Sequence, residues 1–249
     1  MTRPLRSFIA MVTVAAALAA GCSPVPEIGE ASIEETYDYG VRAAAAEDYL
    51  VAAEAFKRVM ASAPLDELAD DAQMGLADAY REMRDFAMAE GEYRRLLSDY
   101  PRSPLVAEAE FKLGLTFFEQ SLPAQLDQAT TARAIRQIER FLATYPESEF
   151  AGEAGELRLD LRSRLAEKEY RAALLYQTLK NEEAARVYLR SVAAEYPDTP
   201  WAPRALLELA RSHSREGATA LALDAYERIV RDYPGTEEAA SAEAERSGL

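Results

Sequence analysis

Cysteine and histidine are almost missing from this chain: Cys22 and His213 are the only examples in 249 residues. A single thiol leaves nothing to pair with inside the chain, so the fold must be held by packing. One thiol and one imidazole cannot furnish a tetrahedral zinc site. His213 lies in "RSHSREG" between Ser212 and Ser214. Neighbours on a helix point about 100° apart, so neither serine forms a nucleophile–base pair with it. Its expected role is that of a partly buried packing residue. There is no Gly-rich phosphate loop and no His-Glu-x-x-His, and the sequence predicts no enzyme and no cofactor. Positive charge is also scarce. The chain has 28 Lys+Arg against 43 Asp+Glu, a net charge of −15, which makes nucleic acid a poor partner because phosphates repel it. Carboxylate pairs such as Glu182-Glu183 and Glu237-Glu238 are expected to be solvated. Strand-like alternation is absent downstream of the N-terminus.

The one cysteine sits in "ALAAGCSPVPE", Ala17 to Glu27. Arg3 and Arg6 precede an uncharged core, Phe8 to Ala20, of 13 residues. That is shorter than the roughly 20 residues needed to cross a bilayer, so residues 1–21 read as an export signal and not as a membrane helix. A cysteine directly after Ala-Ala-Gly resembles the bacterial lipobox, in which the thiol is acylated and becomes the first mature residue. A covalent lipid on Cys22 is therefore expected, and multiple acyl chains anchor a protein stably where one does not. Ser23, and not Asp, follows. By resemblance to sorting signals of Gram-negative cells, that directs the protein to the periplasmic face of the outer membrane. Cleavage would leave 26 bases against 43 acids, a net charge of −17. Residues 22–32, with Pro24, Pro26 and Gly29, read as a lipidated tether.

What the rest of the chain has in abundance is a repeated phrase. "ASAPLD", "SDYPRSP", "ATYPESE", "AEYPDTP" and "RDYPGTE" each end an Ala-rich helical stretch, and their prolines stand at 64, 101, 146, 197 and 234, spaced by 37, 45, 51 and 37. Read backwards from each proline, the pattern is that of the tetratricopeptide repeat. Tyr39-Gly40, Tyr49, Ala52, Phe56 and Pro64 form the first unit. Leu76-Ala77, Tyr80, Phe86, Ala89, Tyr93 and Pro101 form the second. Leu209-Ala210, Gly217, Ala222, Tyr226 and Pro234 form the fifth. Small residues (Gly40/Ala52, Ala77/Ala89, Ala210/Ala222) permit two helices to cross closely. Phe56, Tyr93 and Tyr226 fill the space toward the next unit, and proline ends the helix.

The fold class predicted is all-α: an α-solenoid of five helix-turn-helix repeats, at about 33–66, 70–103, 107–148, 166–199 and 203–236, with residues 237–249 as a C-terminal cap whose helix starts at Thr236. The third repeat carries an insertion within "EQSLPAQLDQATT", where Asp127 or Thr131 is expected to cap the next helix. A single long helix, from about Glu149 to Leu179, leads into the fourth. Gly152 and Gly155 weaken its first turns by about 1 kcal/mol each relative to Ala.

The lipobox, the Pro-containing tether, the "YP-x-[ST]" punctuation, the insertion with "LDQATTARAI" and the long "LRSRLAEKEYRAALLY" together resemble the BamD family, outer-membrane lipoproteins of the β-barrel assembly machinery. The resemblance covers nearly the whole chain after the signal. It implies a scaffold that binds a BamA-type barrel protein through its C-terminal repeats, sits among other lipoproteins of the same machinery, and receives unfolded outer-membrane proteins on its N-terminal repeats. In this register the family's basic docking position falls on Tyr188, flanked by Arg186 and Arg190, which are the docking candidates. For the substrate groove, the inner helices of repeats one and two should present Tyr37, Val41, Asp78 and Arg81 to a concave face. Other repeat lipoproteins or periplasmic repeat proteins, for polysaccharide export or for Tol-associated cell division, are the competing readings.

Overall fold

A computed structural model describes residues 31–249 apart from 66 and 125. Cys22, the signal at 1–21 and nearly all of the tether lie outside the described residues. Among the described residues the secondary structure is eleven helices and no strand. Five consecutive pairs are α1 (Ile33–Ala45) with α2 (Tyr49–Ser62), α3 (Ala69–Glu82) with α4 (Phe86–Asp99), α5 (Val106–Gln120) with α6 (Ala129–Thr144), α7 (Ala151–Thr178) with α8 (Glu182–Glu195), and α9 (Trp201–Arg215) with α10 (Thr219–Asp232). A last helix, α11 (Glu237–Arg246), follows. Each helix packs on its sequence neighbours. Odd-numbered helices also touch the next odd one, as in α1–α3, α5–α7, α7–α9 and α9–α11, and no comparable contact joins successive even helices. The odd helices therefore line the inner wall of a tetratricopeptide solenoid, and the even helices form its outer layer.

Local chemistry sets the helix ends. Ser32 and Glu35 make a reciprocal capping box at the start of α1, with Glu35 N donating to Ser32 Oγ (3.1 Å) and Ser32 N donating to Glu35 Oε2 (2.7 Å). The turn inside a repeat has one recurring form. A residue in the left-handed region precedes the cap of the second helix: Glu47 (φ 61°), Arg84 (φ 59°), Lys180 (φ 59°) and Gly217 (φ 74°). The next residue's N–H donates at 2.9 Å to a carbonyl near the end of the first helix, at Ala43, Tyr80, Tyr176 and His213 in turn. Asp48, Asp85 and Asn181 then cap α2, α4 and α8 with their side chains. Between repeats the helix stops one residue before proline, at Ala63, Tyr100, Tyr145, Tyr196 and Tyr233.

The two repeats that follow a spacing of 37 share a further bond. Tyr100 Oη donates to Pro64 O and Tyr233 Oη to Pro197 O, both at 3.2 Å. Where the spacing is longer that pairing is not made; Tyr196 donates to Glu169 instead. The insertion of the third repeat replaces the left-handed turn, and its expected caps require correction. The N-cap of α6 is Gln128, with no capping side chain. Asp127 only accepts from Ala129 N (3.2 Å), and Thr131 is buried inside the helix, donating to Gln128 Oε1 (2.8 Å). Gln128 organises the loop, because its Nε2 donates to the carbonyls of Leu122, Pro123 and Leu126.

The long helix is present as α7, 28 residues and about 42 Å at 1.5 Å per residue. It starts two residues later than expected, because two successive turns come first: Ser148 N donates to Tyr145 O across Pro146, and Ala151 N then donates to Ser148 O. Gly152 and Gly155 lie within it and face open space. The capping helix α11 begins after Thr236, which accepts from Ala239 N (3.1 Å).

Apolar packing falls into one large cluster and two smaller ones. The large one runs from Ala52 to Leu161 and includes Phe56, Tyr93, Phe111 and Phe141. The others lie between Ala166 and Ala242. Phe111 stacks on Phe150 with centroids 5.0 Å apart, which ties the start of α7 to the third repeat.

Candidate binding cleft and docking face

The inner wall opens into a cleft of about 250 Å³ between α1 and α3. Its floor is Phe56 of α2, 2% exposed. The ring reaches this place because both inner helices omit a side chain. A β-carbon at Gly40 would stand 2.9 Å from Phe56 Cε1, and one at Gly75 would stand 2.7 Å from Cε2 and Cζ, closer than real β-carbons approach. Tyr37 tilts over Phe56 at 5.8 Å between centroids. Val41, 43% exposed, and Met74 and Leu105 are also part of the apolar lining.

The rim is acidic. Asp71, Asp78 and Glu82 of α3 line it, and among the described residues no Lys or Arg does. Burial and the neighbouring Asp70 push the Asp71 carboxyl above its usual range. Burial, then Asp71, Asp38 and Asp70, push the Tyr37 phenol up. Asp78 is already committed: its carboxylate accepts from Tyr93 Oη (2.5 Å) and from Lys112 Nζ (2.7 Å). Burial is the first cause holding the Tyr93 hydroxyl protonated, and Asp78 the second.

Of the four groove candidates, the structure brings Tyr37, Val41 and Asp78 together in the cleft. Arg81 is not among the lining residues. It pairs with Glu119 of α5 (2.7 Å) and with Glu82. The sequence pattern does not single out Phe56, Gly75, Met74 or Leu105 for the groove. It assigns Phe56 to packing toward the next unit, which the ring also does.

The docking candidates separate. Arg186 of α8 turns onto α9, where Nη1 donates to Glu216 Oε1 (2.5 Å) and Ser212 Oγ (3.3 Å). Ser212 in turn donates to Glu182 Oε2 (2.9 Å). Arg190 is exposed and makes no ion pair among the described residues. Tyr188, between them, stacks on Tyr176 of α7 with centroids 5.4 Å apart. His213 is half-buried beside this network, and its Nδ1 has no hydrogen-bond partner among the described residues. Burial, and then the Arg186 charge, hold its imidazole below the usual pKa. Among the described residues no group of His, Cys, Asp and Glu is arranged to hold a metal ion, and no helix is long and apolar enough to cross a membrane.

Comparison with known proteins joins this architecture to a family. The outer membrane protein assembly factor BamD of Caulobacter vibrioides is 28% identical over 213 residues, which cover 82% of this chain and 68% of that protein. Among solved structures, a thermophilic tetratricopeptide protein of Thermus thermophilus is 18% identical with a TM-score of 0.38, covering 88% of this chain and 100% of that one. A tetratricopeptide repeat protein of Parabacteroides merdae is 16% identical with a TM-score of 0.38, covering 87% and 72%. The model of the YfiO family, described as outer membrane lipoprotein, matches residues 30–227. From the first turn of the solenoid to the middle of α10, then, this chain belongs to the YfiO outer membrane lipoproteins.

Proposed function

We propose that this protein is a non-catalytic assembly factor for outer-membrane β-barrel proteins, anchored at the periplasmic face of the outer membrane by lipid on Cys22 and acting without a cofactor. Residues 1–21 are removed as the signal, and 22–32 tether the solenoid of 33–249. The N-terminal repeats receive an unfolded barrel segment. The C-terminal repeats dock a BamA-type barrel protein, with Arg190 available at the surface and Arg186 bracing α8 against α9. Other lipoproteins of the same machinery complete the assembly. Family membership supports this reading, and the Caulobacter relative bears the name of an assembly factor.

The observation that carries the substrate part is the cleft itself. A folded monomer has little reason to leave Tyr37, Val41 and the Phe56 floor around an open space on its inner wall. The cleft takes an aromatic or aliphatic side chain of an extended segment. Its rim of Asp71 and Glu82, with no base, disfavours acidic flanks.

Two measurements test the reading. A photo-crosslinker at Val41 should label nascent barrel proteins, while one at Leu221 on α10, also exposed, should not. Isolation of the native complex in mild detergent should recover a large barrel protein with periplasmic repeat domains. Recovery of Tol or glycan-export proteins in its place would overturn the assignment.

A further inference from the structure

In a chain whose acids outnumber its bases by 43 to 28, one region of the outer layer has the opposite sign. Arg133, Arg136 and Arg140 follow one another along α6 at intervals of three and four, which places them on one stripe. Arg94 of α4 faces them, and the four guanidinium groups line a single open cleft of about 340 Å³ with Phe117 and Gln137. The carboxylates within reach do not balance them. Arg94 and Arg133 share one oxygen, Glu90 Oε1, at 3.0 and 2.7 Å. Arg140 pairs with Glu110 Oε2 at 2.8 Å, an oxygen that also accepts from Gln137. Arg136 is exposed and makes no ion pair among the described residues. Four cations thus meet two anions. Arg133 is further positioned by the Phe117 ring, 4.3 Å from its guanidinium carbon.

We propose that this cleft between α4 and α6 binds a phosphate group. Guanidinium forks match the several oxygens of a tetrahedral phosphate, and convergent arginines bind it by charge-assisted hydrogen bonds. Arg136 provides the unpaired donor, and Arg133, held by Phe117, provides a pre-oriented one. The groups are open to solvent, so binding weakens as salt rises. The phosphate is either a soluble anion or the headgroup of a phospholipid. The site lies on the outer layer, away from the cleft between α1 and α3, and is independent of that cleft's role.

The test uses the full chain in neutral-detergent micelles at low salt, following arginine side-chain Nε–H NMR signals. Inorganic phosphate is titrated first; in a second arm the micelles are doped with phosphatidylglycerol. Saturable shifts of the Arg133, Arg136 and Arg140 signals are expected, with Arg231, an exposed arginine paired to Asp232 on α10, unmoved. A response to inorganic phosphate identifies a soluble-anion site, and a response to doped micelles alone identifies a headgroup site. Either supports the proposal. Arg136→Gln breaks no ion pair, so circular dichroism stays unchanged, while affinity falls about tenfold, the worth of one charge-assisted bond. Arg133→Gln should lower affinity by a similar factor, although it also removes the pair with Glu90. No saturable shift in either arm, an equal shift with chloride at matched ionic strength, or unaltered affinity in both variants would overturn it.

Discussion

Phe56 shows how much of this molecule turns on single atoms. Its ring lies where Gly40 and Gly75 have no β-carbon, so it serves both as core and as the floor of the cleft. Gly75→Ala should lower stability by about 1–2 kcal/mol net, because overpacking the Phe56 ring, at up to about 3 kcal/mol, outweighs the roughly 1 kcal/mol of helix propensity that alanine adds. Gly91→Ala should do the reverse. Gly91 also sits inside a helix, α4, but a β-carbon there meets nothing within 4 Å, so the gain is about 1 kcal/mol of helix propensity. Urea unfolding of the two variants separates the signs. His213 offers a second single-residue test. As the only imidazole it gives one titrating NMR signal. Burial and Arg186 hold its folded pKa below the usual 6.5. Below pH 6.5 the unfolded chain therefore takes a proton that the folded one refuses until its lower pKa is reached. His213 thus contributes stability that is complete above pH 6.5 and declines as pH falls through that window. Arg186→Gln should raise the His213 pKa, and His213→Gln should flatten the stability profile between pH 7 and 5. An imidazole titrating at or above 6.5 in the folded protein would contradict this.

Elements repeat here, so one element can be judged against its copies. The left-handed residue followed by a capping side chain recurs at Glu47-Asp48, Arg84-Asp85 and Lys180-Asn181. The fifth repeat keeps the turn with Gly217 but has Ala218 as the cap, and α10 receives no side-chain bond. Ala218→Asp should add about 1 kcal/mol. Gly217→Ala should cost about 1 kcal/mol, because φ of 74° strains any residue with a β-carbon. Thermal melts of the two variants should move in opposite directions. The repeats also mark what was legible beforehand. Prolines and small residues announced the helix pairs and their ends, because breaking a helix and crossing closely are local demands. Of the four residues the inner-face register names, Tyr37, Val41 and Asp78 line one cleft and Arg81 does not. Long-range choices left no such trace. No pattern says that Arg81 will reach Glu119, 38 residues away, or that Gln128 and not Asp127 will organise the inserted loop. A glutamine that satisfies three carbonyls looks like any other in sequence.

At the scale of the whole molecule, α7 joins two packed bodies. Leu161 belongs to the large apolar cluster and Ala166, with Leu165 beside it, to the next one, and the three residues between Leu161 and Leu165 make polar contacts. Arg162 forks onto Asp198 (2.9 and 2.8 Å) and reaches Glu195 O (2.7 Å). Ser163 accepts from Trp201 Nε1 (3.1 Å), and Arg164 donates to Ser121 Oγ (2.6 Å). The periodicity of "LRSRLAEKEYRAALLY" revealed the helix but not this change of partner, because the apolar stripe runs through it unbroken. In a repeat stack, stability is a sum of local and nearest-neighbour terms, so a weak junction limits cooperativity. Here the continuity of α7 itself couples the halves. Glu167→Pro tests that directly. It removes the helical bond to Ser163 O and costs about 3 kcal/mol, while the side chain it replaces makes only an i,i+4 pair with Arg171, worth a few tenths of a kcal/mol. All three clusters should persist, with most of the helical dichroism. Urea unfolding should then split into two transitions, and solution scattering should show a wider spread of shapes. A single transition, merely shifted to lower urea, would mean that the polar contacts of Arg162, Ser163 and Arg164 couple the two bodies without help from an intact α7.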